Sequence, residues 1–318
     1  MGNYYGAGAS GLTFHENTFR IVVKSGKGYF DSSRITQVDP PVPYISIKNK
    51  IYTSTYYAAP DTWVFGGPYD NTRLIRGSIP KTNLEYPMRA SLPDPAYFCA
   101  YSLTKALSDS GIVASDSATT YRILKAKGKP INGTLTVFYS RQSPPLDTII
   151  YYTDQHSINT YAENILKILA FEKTGVGSTY NGTQLVTQFW KSKGVDLTGF
   201  AMKDGSGLSP DDRVSPRQLA EIMRAYLKDS LFLVFYNALP IAGRSGTIES
   251  IFKGTVAENN LHAKSGYMKG LRSYTGYVYN KKNKLLTFGI IVNNHTASAD
   301  GMRSLLEKIM VKIAETEW

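Results

Sequence analysis

The sequence predicts an α+β fold: a β-rich region over about residues 1–140, then a part over 141–318 in which helices cover an antiparallel sheet. Three observations predict it. Short runs of β-branched and aromatic residues, punctuated by Gly, Pro, Asp and Asn, fill the stretch from Phe14 to Pro93. Apolar residues at helical spacing take over after Ser143-Pro144-Pro145. Consecutive strand-like runs and one amphipathic helix close the chain.

In order, strands are expected at 19–24, 43–52, 62–65 and 72–79. Asp94 then supplies a helix N-cap, Pro95 the first-turn proline and Gly111 a stop, which brackets a helix over 95–110. Two more strands are expected near 119–125 and 134–139. The second part predicts helices near 146–152, 160–172, 183–193 and 216–228, strands near 261–265, 273–279 and 285–293, and a helix over 299–314.

At 318 residues and 42% hydrophobic content the chain can bury a sizeable core, in two domains or one large domain with an insertion. No stretch reaches the roughly 20 apolar residues of a membrane-spanning helix. The start, Met1-Gly2-Asn3-Tyr4-Tyr5-Gly6, has neither the basic residues nor the apolar run of a secretory signal. A single cysteine, Cys99, excludes an internal disulfide and reads as a small buried hydrophobe. The net charge of +11 is scattered, with no basic run of five, so nucleic acid is not expected as a partner; a basic surface also suits an anionic polymer such as the cell wall or membrane, and net charge alone does not choose among partners. The 23 tyrosines fit half-buried strands, although polysaccharide surfaces also use such rings. The four histidines lack metal-ligand spacing, so no metal and no cofactor is implied.

The triplet Ser157-Ile158-Asn159 says nothing alone, but it lies between Ser143-Pro144-Pro145-Leu146 and Tyr161-Ala162-Glu163-Asn164-Ile165-Leu166. Downstream follow Asp204-Gly205-Ser206-Gly207-Leu208-Ser209, Arg213-Val214-Ser215-Pro216, Leu239-Pro240-Ile241-Ala242-Gly243 with Gly246-Thr247-Ile248, and His262-Ala263-Lys264-Ser265-Gly266. In this order they resemble the D-alanyl-D-alanine carboxypeptidase/endopeptidase family, the class C low-molecular-mass penicillin-binding proteins. The resemblance covers about 143–318; Tyr4 to Ser10 and Phe14 to Asn17 resemble the same family's middle region more weakly.

What the resemblance implies is a β-lactamase/transpeptidase-like domain that hydrolyses D-alanyl linkages of peptidoglycan peptides and binds β-lactam antibiotics, in the periplasm or cell envelope. Ser157 would relay a proton to the leaving D-alanine nitrogen, and Asn159 would hydrogen-bond the substrate amide. Lys264 would set a cation beside Ser157 and the substrate carboxylate, Ser265 would donate its hydroxyl to that carboxylate, and Gly266 would let substrate backbone approach. Serine at 265 departs from the family's usual threonine but keeps the hydroxyl. Asp204 and Ser206 would contribute from the rim of the substrate groove. Local readings stand beside these: Ser157 or Asn159 as a helix cap, Thr160 with Glu163 as a capping box, Lys264 as an exposed lysine before a turn, and Asp204 to Ser206 as a plain turn.

The family's Ser-x-x-Lys nucleophile motif is expected upstream of residue 1, which would leave this chain inactive alone, with exposed apolar surface that invites self-association. One internal match exists, Ser102-Leu103-Thr104-Lys105. Ser102, Lys105 and Asp109 form the polar stripe of an amphipathic helix, with Lys105 and Asp109 spaced as a solvated ion pair, so the match reads as a decoy. Two alternatives therefore remain: a compact β-lactamase- or esterase-type hydrolase using Ser102 and Lys105, and a non-catalytic cell-wall-binding module.

Overall fold

A computed structural model of the chain describes residues 2–55, 59–129, 137 and 139–317. They form two compact units, Met1–Arg141 and Gln142–Trp318. The α+β class holds in both.

In the first unit, strand β1 (Thr18–Lys24) lies between β2 (Arg34–Asp39) and β6 (Glu85–Ser91), antiparallel to both. A second sheet places β5 (Thr72–Pro80) between β3 (Ser46–Ser54), parallel to it, and β4 (Asp61–Phe65), antiparallel. Alternation turns Phe19, Ile21 and Val23 of one sheet, and Ile51, Val64 and Ile75 of the other, into a common core. Arg73 is buried on β5 and donates from Nε to the Ser91 carbonyl (2.9 Å) and from Nη1 to that of Asp70 (2.8 Å), so one guanidinium ties the two sheets.

Helix α1 (Pro95–Asp109) is capped as its sequence demands, the Asp94 carboxylate accepting from the Tyr97 amide at 3.0 Å. It delivers Phe98 to the core, while Cys99 is only half-buried. The strand expected near 119–125 is instead a short helix, α2 (Tyr121–Ala126). The Thr120 hydroxyl caps it, and Arg122 pairs with Asp94 at 2.7 Å, so a local cap and one tertiary ion pair override the β-type composition. Most of the strand expected near 134–139 lies outside the described residues.

The second unit runs through α3 (Leu146–His156), α4 (Asn159–Thr174), α5 (Thr179–Ser192), α6 (Pro216–Tyr226) and α7 (Phe232–Ala238). It then forms an antiparallel sheet of β7 (His262–Met268), β8 (Leu271–Tyr279) and β9 (Leu285–Val292), and ends in α8 (Ala299–Ala314). Alternation again assigns the faces. Tyr274 and Val278 of β8 and Phe288 of β9 pack on Met302, Leu306 and Met310 of α8. Tyr277 points the other way, against Met223, Phe232 and Phe235 of α6 and α7, and donates its hydroxyl to the Met223 carbonyl at 2.9 Å. Helices thus cover the sheet on both faces, and two glycines permit the close fit. A Cβ at Gly289 would strike the Pro216 carbonyl of α6, and one at Gly276 would strike the His262 carbonyl of β7.

Because that second obstacle is backbone, Gly276→Ala is expected to destabilise the unit by about 1–3 kcal/mol through overpacking. Urea denaturation measures it; an unchanged midpoint would show that β7 and β8 separate freely.

Candidate active site

The site begins where α3 ends. Ser157 closes the helix in the left-handed conformation (φ 53°, ψ 51°), a position that glycine usually takes and that a side chain makes costlier by about 1–2 kcal/mol. The amides of Ser157 and Ile158 both turn back to the Thr153 carbonyl, and the Ile158 carbonyl then opens α4 by accepting from Tyr161 and Ala162. Neither Ser157 nor Asn159 is the residue that caps α4; that position is Ile158, without a side-chain bond. The expected capping box is also absent, because Glu163 is engaged elsewhere.

Strand β7 meets this turn. Lys264 Nζ donates to Ser157 Oγ at 2.7 Å across 107 residues of sequence, and to its neighbour's carbonyl, Ser265 O, at 2.8 Å. An ammonium has three donors, so these two bonds, the ones it makes among the described residues, leave a third. The Ser265 hydroxyl donates to Thr247 Oγ1 at 2.9 Å. Thr247 belongs to a 3-10 turn, Gly246–Ile248, held near α3 because Gly246 (φ 63°) lets Gln155 approach closely; the Gln155 amide in turn donates to the Ala238 carbonyl at 3.0 Å. Gly266 pairs with Ser273 of β8, whose hydroxyl fills the space where a Cβ would stand. The structure therefore brings together Ser157, Lys264, Ser265 and Gly266, with Asn159 two residues along the same turn.

Burial shapes the charges. It pushes the Lys264 ammonium below its ordinary pKa, with Asp154 opposing the shift. Asp154 lies one turn before Ser157 on α3, and burial pushes its carboxyl up to about 6 although Lys264 pulls it down. Sequence reasoning missed Asp154 and Thr247. Asp154 carried one usable signal, its spacing of three residues before Ser157, which puts both on one helix face.

Asp204 and Ser206 sit in a loop docked one turn along α4. Glu163 Oε1 accepts from the amides of Gly205 (2.9 Å) and Ser206 (2.8 Å). Asp204 uses both oxygens within its own loop, accepting from Gly207, Leu208 and Ser209. Beside it, burial and then the adjacent Asp204 push Asp212 up to about 6, against the bond it accepts from the Lys203 amide. His262 is buried, stacked on Tyr236 at 4.0 Å between centroids, and its pKa is lowered by burial, which marks a packing residue. In the other unit, Lys105 pairs with Asp109 at 3.0 Å with both side chains exposed, and that bond raises the lysine's pKa.

The model of the D-Ala-D-Ala carboxypeptidase 3 (S13) family matches residues 1–315. The chain belongs to this family. A D-alanyl-D-alanine carboxypeptidase from Actinomadura sp. is 26% identical over 279 residues, 86% of this chain and 50% of the relative. Carboxypeptidase DacB of Mycolicibacterium smegmatis is 32% identical over 161 residues, 48% of this chain and 35% of that protein. The chain spans about half the length, or less, of these curated relatives. Penicillin binding protein 4 (dacB) from Haemophilus influenzae shares the fold with a TM-score of 0.80 at 18% identity, covering 99% of this chain and 70% of that one. Its complex with a β-lactam superposes with a TM-score of 0.75.

Two outcomes follow from the electrostatics. In Asp154→Asn the Lys264 ammonium loses its opposing charge while staying desolvated, so its titration midpoint, followed by 13C NMR at Cε, is expected to move to lower pH; an unmoved midpoint would show that the two charges do not face each other. For Asp212, a folded-state pKa raised from 3.8 to about 6 means that its stabilising contribution is full below about pH 4 and lost as pH rises through 6. Asp212→Asn keeps an acceptor for the Lys203 amide and does not ionise, so its melting temperature should fall less between pH 4 and 7 than that of the unsubstituted chain. Parallel curves would remove Asp212 as the cause.

Proposed function

We propose that this chain provides the substrate-holding part of a serine D-alanyl-D-alanine carboxypeptidase/endopeptidase that acts on peptidoglycan peptides and binds penicillins. The observation that carries this reading is the Lys264 to Ser157 bond, which links a strand-borne cation to a hydroxyl on a strained turn. A substrate carboxylate would take the remaining Lys264 donor and the Ser265 hydroxyl, while Asn159 would hold a peptide amide and Gly266 would admit the substrate backbone along β7. When the tetrahedral adduct collapses and its C–N bond breaks, Ser157 would pass its proton to the leaving D-alanine nitrogen and recover one from Lys264. The lowered pKa of Lys264 eases that release. Asp204 and Ser206 would serve indirectly, by shaping the rim that their loop forms on α4.

The attacking hydroxyl is assigned to none of these residues. Ser102 is disfavoured because Lys105, the base it would need, is an exposed ammonium stabilised by Asp109. The similarity to carboxypeptidases favours a peptidase over the binding-only alternative. A place in the cell envelope suits the proposed substrate, and the exposed Ile168, Phe171 and Tyr180 support self-association of this chain.

Calorimetric titration with an N-acyl-D-Ala-D-Ala peptide tests the groove. Saturable heat is expected, with affinity about 10- to 100-fold weaker in Lys264→Ala, since a hydrogen bond to a charged group contributes about 1.5–3 kcal/mol. No heat at millimolar peptide, or equal affinity in the variant, would overturn the assignment.

A further inference from the structure

We propose that the outer face of the β3-β5-β4 sheet is a second binding site, for a glycan chain of N-acetylhexosamine units. The solvent face of such a sheet is ordinarily polar. Here Tyr52, Trp63 and Phe65 stay 45%, 45% and 48% exposed, although their strand neighbours Ile51 and Val64 are buried in the core. Phe30, 81% exposed, stacks on Tyr52 with centroids 6.3 Å apart, extending the row of rings.

The register interleaves rings with cations. Lys50 pairs with Arg76 and Arg76 with Trp63, so a lysine, an arginine and an indole stand abreast on strands about 4.8 Å apart. A recess of about 680 Å³, lined by Tyr52, Trp63, Phe65, Leu74 and Gly77, opens among these rings. Lys50 and Arg76 line this recess, and among the described residues no acid does. The Asp61 carboxylate accepts from Trp63 Nε1 at 2.7 Å, which fixes the indole before any ligand arrives.

This chemistry selects its occupant. Flat, half-exposed rings offer their faces to the apolar C–H face of a sugar, and the cations between them suit acetamido carbonyls and the carboxylates of attached peptides. The inference rests on the peptidoglycan reading above, because that polymer would present glycan to this face and D-alanyl peptide to the other unit. A nucleic acid also stacks and carries charge, but it calls for a denser basic track than two cations.

Titration with chitohexaose, followed by tryptophan fluorescence and calorimetry, tests the site. Saturable binding is expected, at least tenfold weaker in Trp63→Ala and in Tyr52→Ser, and unchanged in Lys264→Ala. Circular dichroism checks that each variant folds. Absence of saturable binding, or equal affinity in both ring variants, would overturn the proposal. Tighter binding of oligothymidylate, abolished by salt, would overturn it in favour of a polyanion surface. Peptide binding lost while chitohexaose binding persists would count against the peptidase reading alone.

Discussion

One hydrogen bond organises the second unit: the ammonium of Lys264 on the serine hydroxyl that ends α3. It joins a strand to a helix terminus, so its length is set by how closely β7 approaches α3 and not by either element alone. Three small-residue contacts fix that approach. Gly276 lets β7 lie against β8, Gly289 seats α6 on β9, and Gly246 admits Gln155 beside the turn that carries Thr247. The helices that cover the sheet are thus part of the machinery that aims the lysine.

The same geometry sets the charge state. A lysine on an exposed strand would be an ordinary cation, strongly hydrated and indifferent to its neighbours. Desolvation lowers the cost of removing its proton, and Asp154, half-buried on the facing helix, limits how far that goes. The pair balances two demands, because a cation is needed to hold an anion and an easily lost proton is needed to pass one along.

Much of this was legible in the sequence wherever one residue type served one local purpose. The final helix was read at its observed bounds, since Met302, Leu306 and Met310 recur at helical spacing against a single surface. The strands β7, β8 and β9 were read because alternate residues face α8 and α6. The unread elements lack such a signal. Strand β6 contains Pro87, which an edge strand tolerates, β2 has few apolar residues, and α7 is a short apolar run with no period. Asp154 was hidden for a different reason, because its importance comes from a strand more than a hundred residues away. Likewise Glu163 looked like a capping partner of Thr160, and only the fold shows that it is turned to the amides of Gly205 and Ser206.

The backbone of Ser157 carries one further consequence. A left-handed residue with a β-carbon is a local misfit that glycine would relieve, yet glycine has no oxygen to offer the ammonium. Glycine would also gain freedom in the unfolded chain, roughly 0.5–1 kcal/mol, which offsets much of the relief. Strain relief and unfolded-state freedom therefore largely cancel at this position, so drift toward the simpler residue would cost the fold little and the proposed proton path everything.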